Sequence, residues 1–137
     1  MDELYREHIL EHYRHPHNKG VLPRADATAR VANPVCGDKV EMYVSFDGKG
    51  NVGDISFDGE SCAVSTASAS LLTDCAKGKA IQTLKVMTPG DVYTLLGTTL
   101  NPARTACALL PYRAMLDALH ENEKEKGKAR PSVTKPL

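Results

Sequence analysis

The chain has 137 residues, 42% of them apolar, with 17 basic side chains against 17 acidic ones. That length and apolar fraction fit one folded domain and exclude a purely disordered polymer, and zero formal net charge gives no global pull toward phosphate backbones or anionic lipid. No run reaches the roughly eighteen apolar residues that a membrane span needs, and Met1-Asp2-Glu3 opens without a basic and then apolar leader, so a cytoplasmic protein with no nucleic-acid or membrane partner is expected.

Apolar residues at Leu4, Ile9, Leu10 and Tyr13 predict an amphipathic first helix, stopped by Pro16 and Gly20. His8, His12 and His15 could share one side of it, but a solvated face accounts for them without a metal. Mixed small and apolar residues from Ala27 to Val35 predict a strand ending at the Asn33-Pro34 turn signal. Val40, Met42, Val44 and Phe46 then alternate with polar neighbours, which places one side of a second strand on a core. The turn-rich stretch from Asp47 to Asn51 joins it to a third extended segment bearing Val52, Ile55 and Phe57, whose period slips near Gly53 as at a bulge.

From Cys62 to Ala76 small side chains dominate, which predicts a helix packed close to its neighbours, with Ala67, Leu71 and Cys75 as a buried stripe and Gly78 as its stop. A short helix over Ile81 to Val86 and another over Val92 to Leu96 follow, separated by Thr88-Pro89-Gly90-Asp91. The last helix begins near Pro102 and runs through Leu119, with Pro111 expected to kink or divide it. The fold class is therefore α+β, with one domain over residues 1–126 and a flexible tail over 127–137.

Four cysteines spaced 26, 13 and 32 residues apart do not look like a secreted disulfide framework. In Asn33-Pro34-Val35-Cys36-Gly37-Asp38 a turn offers a thiol and a carboxylate two residues apart, although a plain surface turn explains the same residues. Gly59-Glu60-Ser61-Cys62-Ala63 sits where a strand gives way to a helix, a place where backbone donors favour an anion. Cys107 is expected near the start of the last helix with Arg104 three residues earlier, able to offer positive charge to a thiolate or an incoming sulfur species. Cys75, by contrast, reads as a small core side chain. Cys36, Cys62 and Cys107 with Asp38 would supply three sulfur ligands and one oxygen, a set suited to tetrahedral zinc or to an iron–sulfur cluster.

At these residues the sequence resembles the U-type iron–sulfur scaffold family, comprising IscU, SufU and NifU N-terminal proteins. The resemblance runs from Leu4-Tyr5-Arg6-Glu7-His8-Ile9-Leu10 through His12-Tyr13 and Asn18-Lys19-Gly20 to the last helix near Leu119. Its most specific parts are Asn33 to Asp38, Ser61 to Ser70 and Arg104 to Cys107. It implies a three-stranded antiparallel sheet packed against helices, with Cys36, Asp38, Cys62 and Cys107 holding zinc or a transient cluster of the 2Fe-2S or 4Fe-4S type. It also implies a cysteine desulfurase as sulfur donor, with Cys36 in the SufU-like picture or Cys107 in the IscU-like one taking the persulfide, and with recipient apo-proteins or a carrier downstream. The chain is closest in motifs to SufU-like members, yet Cys62 and Cys107 are only 45 residues apart, without the segment those members usually insert. Ala106 stands where IscU-like members have histidine, and their chaperone-recognition stretch has no match around Leu100 to Arg104. The implied function is cluster assembly on a scaffold. A zinc-dependent sulfurtransferase that relays persulfide is the alternative, and a structural zinc domain is a third reading.

Overall fold

The alternation over residues 40–46 does put Val40, Met42 and Val44 into a core in the computed structural model, which describes residues 3–34, 37–97 and 100–128. They belong to the central strand of an antiparallel sheet ordered β1 (Ala27–Ala32), β2 (Lys39–Phe46) and β3 (Val52–Asp58). Ser45 pairs with Asp54 whereas Phe46 pairs with Val52, so Gly53 is the extra residue of a bulge. The bulge restores the phase of β3: Val52 and Ile55, an odd three residues apart, are both buried. Strand β1 ends at Ala32, short of the expected Val35, because the chain turns back on itself. Asn33 donates its N–H to the Asp38 carbonyl at 2.9 Å, and Gly37, at φ +81°, donates to the Asn33 carbonyl at 2.8 Å. Val35 lies outside the described residues.

The helices are α1 (Glu3–Arg14), α2 (Ala63–Ala76), α3 (Ile81–Lys85), α4 (Pro89–Leu96) and α5 (Pro102–Lys128). Helix α5 packs along β1 and β2 and against α2, so the sheet has one face in the core and the other open. Helix α4 starts a turn before the expected Val92, because Thr88 and Asp91 cap each other's backbone N–H groups and Pro89 suits the first turn. Pro111 does not divide α5. Of the tail expected over 127–137, residues 129–137 lie outside the described residues. Among the described residues no helix is long and apolar enough to cross a membrane.

The expected stripe on α2 is corrected by the structure. Ala67 is fully buried, but Leu71 and Cys75 are only half-buried. A four-residue step overshoots a 3.6-residue turn by about 40°, so two such steps carry Cys75 off the side that Ala67 occupies. Burial on α2 instead extends almost all the way round from Val64 to Ser70, with α1, α4, α5 and β3 as neighbours. Small side chains permit that closeness, and their hydroxyls find partners: Ser68 donates to the Ala108 carbonyl at 2.7 Å and Thr73 to the Ala69 carbonyl at 2.8 Å.

Candidate metal centre

Antiparallel pairing of β2 with β3 brings the beginning of the one beside the end of the other, with Glu41 opposite Asp58. The contact continues past the strands, where Lys39 donates its N–H to the Glu60 carbonyl at 2.8 Å. Gly59 makes this possible. Its φ is +120°, and a Cβ there would lie 2.3 Å from the Lys39 carbonyl oxygen, so no other residue fits without moving the chain. Three residues after Gly59, Cys62 is the N-cap of α2, and its N–H donates to Asp38 Oδ1 at 3.1 Å.

Helix α5 supplies the second thiol. Asp38, Cys62 and Cys107 present an oxygen and two sulfurs that all lie within 4.8 Å of one another, drawn from three stretches far apart in the chain. Two thiolates on one tetrahedral zinc, at about 2.3 Å each, would stand roughly 3.8 Å apart, so the group is near the spacing that a single ion requires. Asp38 and Cys107 are buried and Cys62 is half-buried. Cys107 sits in the second turn of α5 rather than at its tip, so the dipole of the helix N-terminus has little effect on it.

Burial raises the pKa of Asp38, but hydrogen bonds from the Cys62 thiol, the Ser65 hydroxyl, the Cys107 thiol and the Cys62 N–H together outweigh it and hold the carboxyl below its ordinary value. The unfolded chain therefore takes up this proton first on acidification. The stability that the group contributes is complete above the ordinary value of 3.8 and is lost as pH falls through the lower folded-state value. In urea titrations of metal-free protein, the stability gap between wild type and Asp38→Asn is expected to move against wild type below about pH 4. A gap that stays constant with pH contradicts the depressed value.

Of the other expected site residues, Cys36 lies outside the described residues. Arg104 is exposed, and its N–H is taken by Asn101 Oδ1 at 2.9 Å. With Arg6, Ile9, Leu10, Ala63 and Val64 its side chain lines a cavity of about 450 Å³ beside the helix that begins after Cys62. The expected solvated histidine face is also corrected. His12 is half-buried with Nδ1 2.8 Å from the Ser70 hydroxyl, between the rings of His8 and His17, while His15 is exposed. Burial, then the neighbouring His17 and His8, push the His12 pKa down. Among the described residues only Asp38, Cys62 and Cys107 converge as a group able to hold a metal. Sequence reasoning missed Ser65 and Gly59. Ser65 carries a signal in its own type, because a hydroxyl on a helix buried all round must find a partner.

The family profile described as NifU-like N terminal domain matches residues 4–129. The zinc-dependent sulfurtransferase SufU of Bacillus subtilis is 36% identical over 140 residues, covering 90% of this chain and 94% of that protein. An iron–sulfur cluster assembly scaffold protein of Archaeoglobus fulgidus, IscU 1, is 31% identical over 125 residues, covering 91% of this chain and 80% of that one. A crystal structure from Fervidobacterium islandicum, assigned as a cluster assembly scaffold of the SUF system, superposes with a TM-score of 0.69 at 26% identity, covering 82% of this chain and 94% of that one. Profile, relatives and the shared sheet-and-helix architecture agree that the chain belongs to the NifU-like N-terminal domain family, with IscU and SufU proteins among its relatives.

Proposed function

We propose that the protein is a cytoplasmic iron–sulfur cluster assembly scaffold, which accepts sulfur from a cysteine desulfurase together with iron, assembles a transient cluster and passes it to apo-proteins or a carrier. The observation that carries this reading is the convergence of Asp38, Cys62 and Cys107 in a largely buried cluster. Cys36 would be the remaining ligand, since two residues of chain put it within about 7 Å of Asp38. Thiolates suit zinc and iron–sulfur clusters alike, while a carboxylate is the harder ligand and makes one corner of the site the easier to exchange. A site meant to release its cargo gains from that asymmetry.

Sulfur arrives by exchange between sulfurs. A thiolate of this chain attacks the outer sulfur of the donor's persulfide, a new S–S bond forms as the old one breaks, and the donor leaves as a thiolate. Cys36 and Cys107 are the two candidate acceptors. Cys107 is 7% exposed, so its use requires the structure around it to open toward the donor. Arg104, at the wall of the neighbouring cavity, would favour an approaching anion. Anaerobic incubation with ferrous iron, cysteine, a cysteine desulfurase and a thiol reductant, which supplies the electrons that take persulfide sulfur to sulfide, tests the proposal: a cluster forms and activates an added apo-protein, whereas failure to form a transferable cluster rejects it.

Similarity to the zinc-dependent sulfurtransferase SufU favours a second reading, in which the same residues keep zinc and relay persulfide without building a cluster. Zinc retained throughout turnover, with persulfide accumulating on one cysteine and passing to an acceptor, would select it.

A further inference from the structure

Pro111 stands inside α5 and has no N–H, so it gives nothing to the carbonyl of Cys107, the acceptor four residues earlier in an α-helix. Ser65 of α2 donates to that carbonyl at 2.7 Å, and the same hydroxyl lies 2.9 Å from Asp38 Oδ2. Its side chain is fully buried, away from solvent that could take its place. Three residues on, Ser68 provides a matched case. It donates to the Ala108 carbonyl at 2.7 Å, but the residue four beyond Ala108 is Tyr112, which has an N–H to give.

We infer that Ser65 is a positioning residue of the metal centre, joining the backbone of Cys107 to the carboxylate of Asp38 through a bond that takes the place of the N–H that Pro111 lacks. The inference rests on the reading of Asp38, Cys62 and Cys107 as ligands. A hydroxyl has one proton, so Ser65 serves the two oxygens in turn. When Asp38 turns to a cation, the proton stays with the Cys107 carbonyl, and neither buried acceptor is stranded. Pro111 and Ser65 thus work as a pair on two different helices, which explains how α5 passes through a proline undivided beside the ligand cluster.

The test uses the full chain and two probes: zinc, whose retention is measured against a chromogenic chelator, and cobalt(II), whose thiolate charge-transfer bands report the ligand geometry. Ser65→Ala is expected to weaken zinc retention by about 10- to 100-fold, the range typical of groups that orient ligands, and to alter the cobalt bands. Ser68→Ala, which removes an equivalent α2–α5 hydrogen bond, is expected to stay within about threefold of wild type with unchanged bands. Pro111→Ala restores an N–H to the Cys107 carbonyl, so Ser65→Ala combined with Pro111→Ala is expected to recover most of the loss. Equal behaviour of Ser65→Ala and Ser68→Ala overturns the inference, as does a double variant no better than Ser65→Ala. Should Ser65→Ala fail to fold, the double variant must fold and bind, and its failure overturns the inference too. Wild type that takes up neither metal overturns the ligand reading and this inference together, whereas metal-binding wild type with indifferent Ser65→Ala overturns the positioning role alone.

Discussion

Gly59→Ala is expected to destabilise the protein by about 3 kcal/mol or more and to abolish metal uptake at the candidate centre, because two costs act at one position. The residue's φ of +120° is a conformation that side chains rarely adopt, and the added Cβ would stand 2.3 Å from the Lys39 carbonyl oxygen, which is backbone and cannot rotate away. Relief requires β3 to part from the start of β2, the contact that sets Cys62 beside Asp38. Gly37→Ala is the control. Gly37 also has positive φ, at +81°, but an added Cβ meets nothing within 4 Å, so only the backbone cost of about 1–2 kcal/mol is expected. Chemical denaturation of both variants separates clash from strain. A Gly59→Ala midpoint equal to that of Gly37→Ala contradicts the close approach.

The second large effect is expected at Asp38. Asp38→Ala leaves the Cys62 N–H without its carboxylate and opens a gap between the thiols, at a cost of about 2–4 kcal/mol in the metal-free protein. Asp38→Asn is different. Its amide oxygen can still accept from the Cys62 N–H, and Ser65 can give its proton to the Cys107 carbonyl, so stability should stay within about 1 kcal/mol of wild type near neutral pH. The carboxylate is gone in both variants, so both should bind metal or cluster less well and exchange it differently. Urea unfolding beside a metal-release assay checks the split, and an Asp38→Asn protein that holds and releases its cargo like wild type contradicts a ligand role for Asp38.

Local patterns in the sequence carried much of this fold. The alternation at Val40, Met42 and Val44 depends only on strand period, and the slip at Gly53 is visible because Val52 and Ile55 are an odd distance apart. Asp38, Cys62 and Cys107 were legible as candidate ligands because each is chemically distinctive and stands in a distinctive stretch. What stayed hidden depends on pairs distant in the chain. Gly59 looks like any turn glycine until β2 is paired with β3 and the Lys39 carbonyl arrives beside it. Ser65 reads as one more small residue until α5 brings the Cys107 carbonyl within 2.7 Å. Cys75 lies shallower than its four-residue spacing suggests, because the helix's actual pitch rotates such a stripe away from the core. The third partner of the histidine group is His17, beyond the end of α1, and no helical spacing could reveal it.

The central claim is that Asp38, Cys62 and Cys107, with Cys36, form the site at which metal or cluster is held, and that Cys75 does not take part. It is tested most directly by metal and sulfide content per chain after anaerobic incubation with ferrous iron, cysteine, a thiol reductant and a cysteine desulfurase, measured for wild type and for Cys36→Ala, Asp38→Ala, Cys62→Ala, Cys107→Ala and Cys75→Ala. The expected result is full content in wild type and Cys75→Ala, with a large loss in each cysteine ligand variant and a more labile load in Asp38→Ala. Equal content in Cys36→Ala, Cys62→Ala, Cys107→Ala and Cys75→Ala would contradict the assignment.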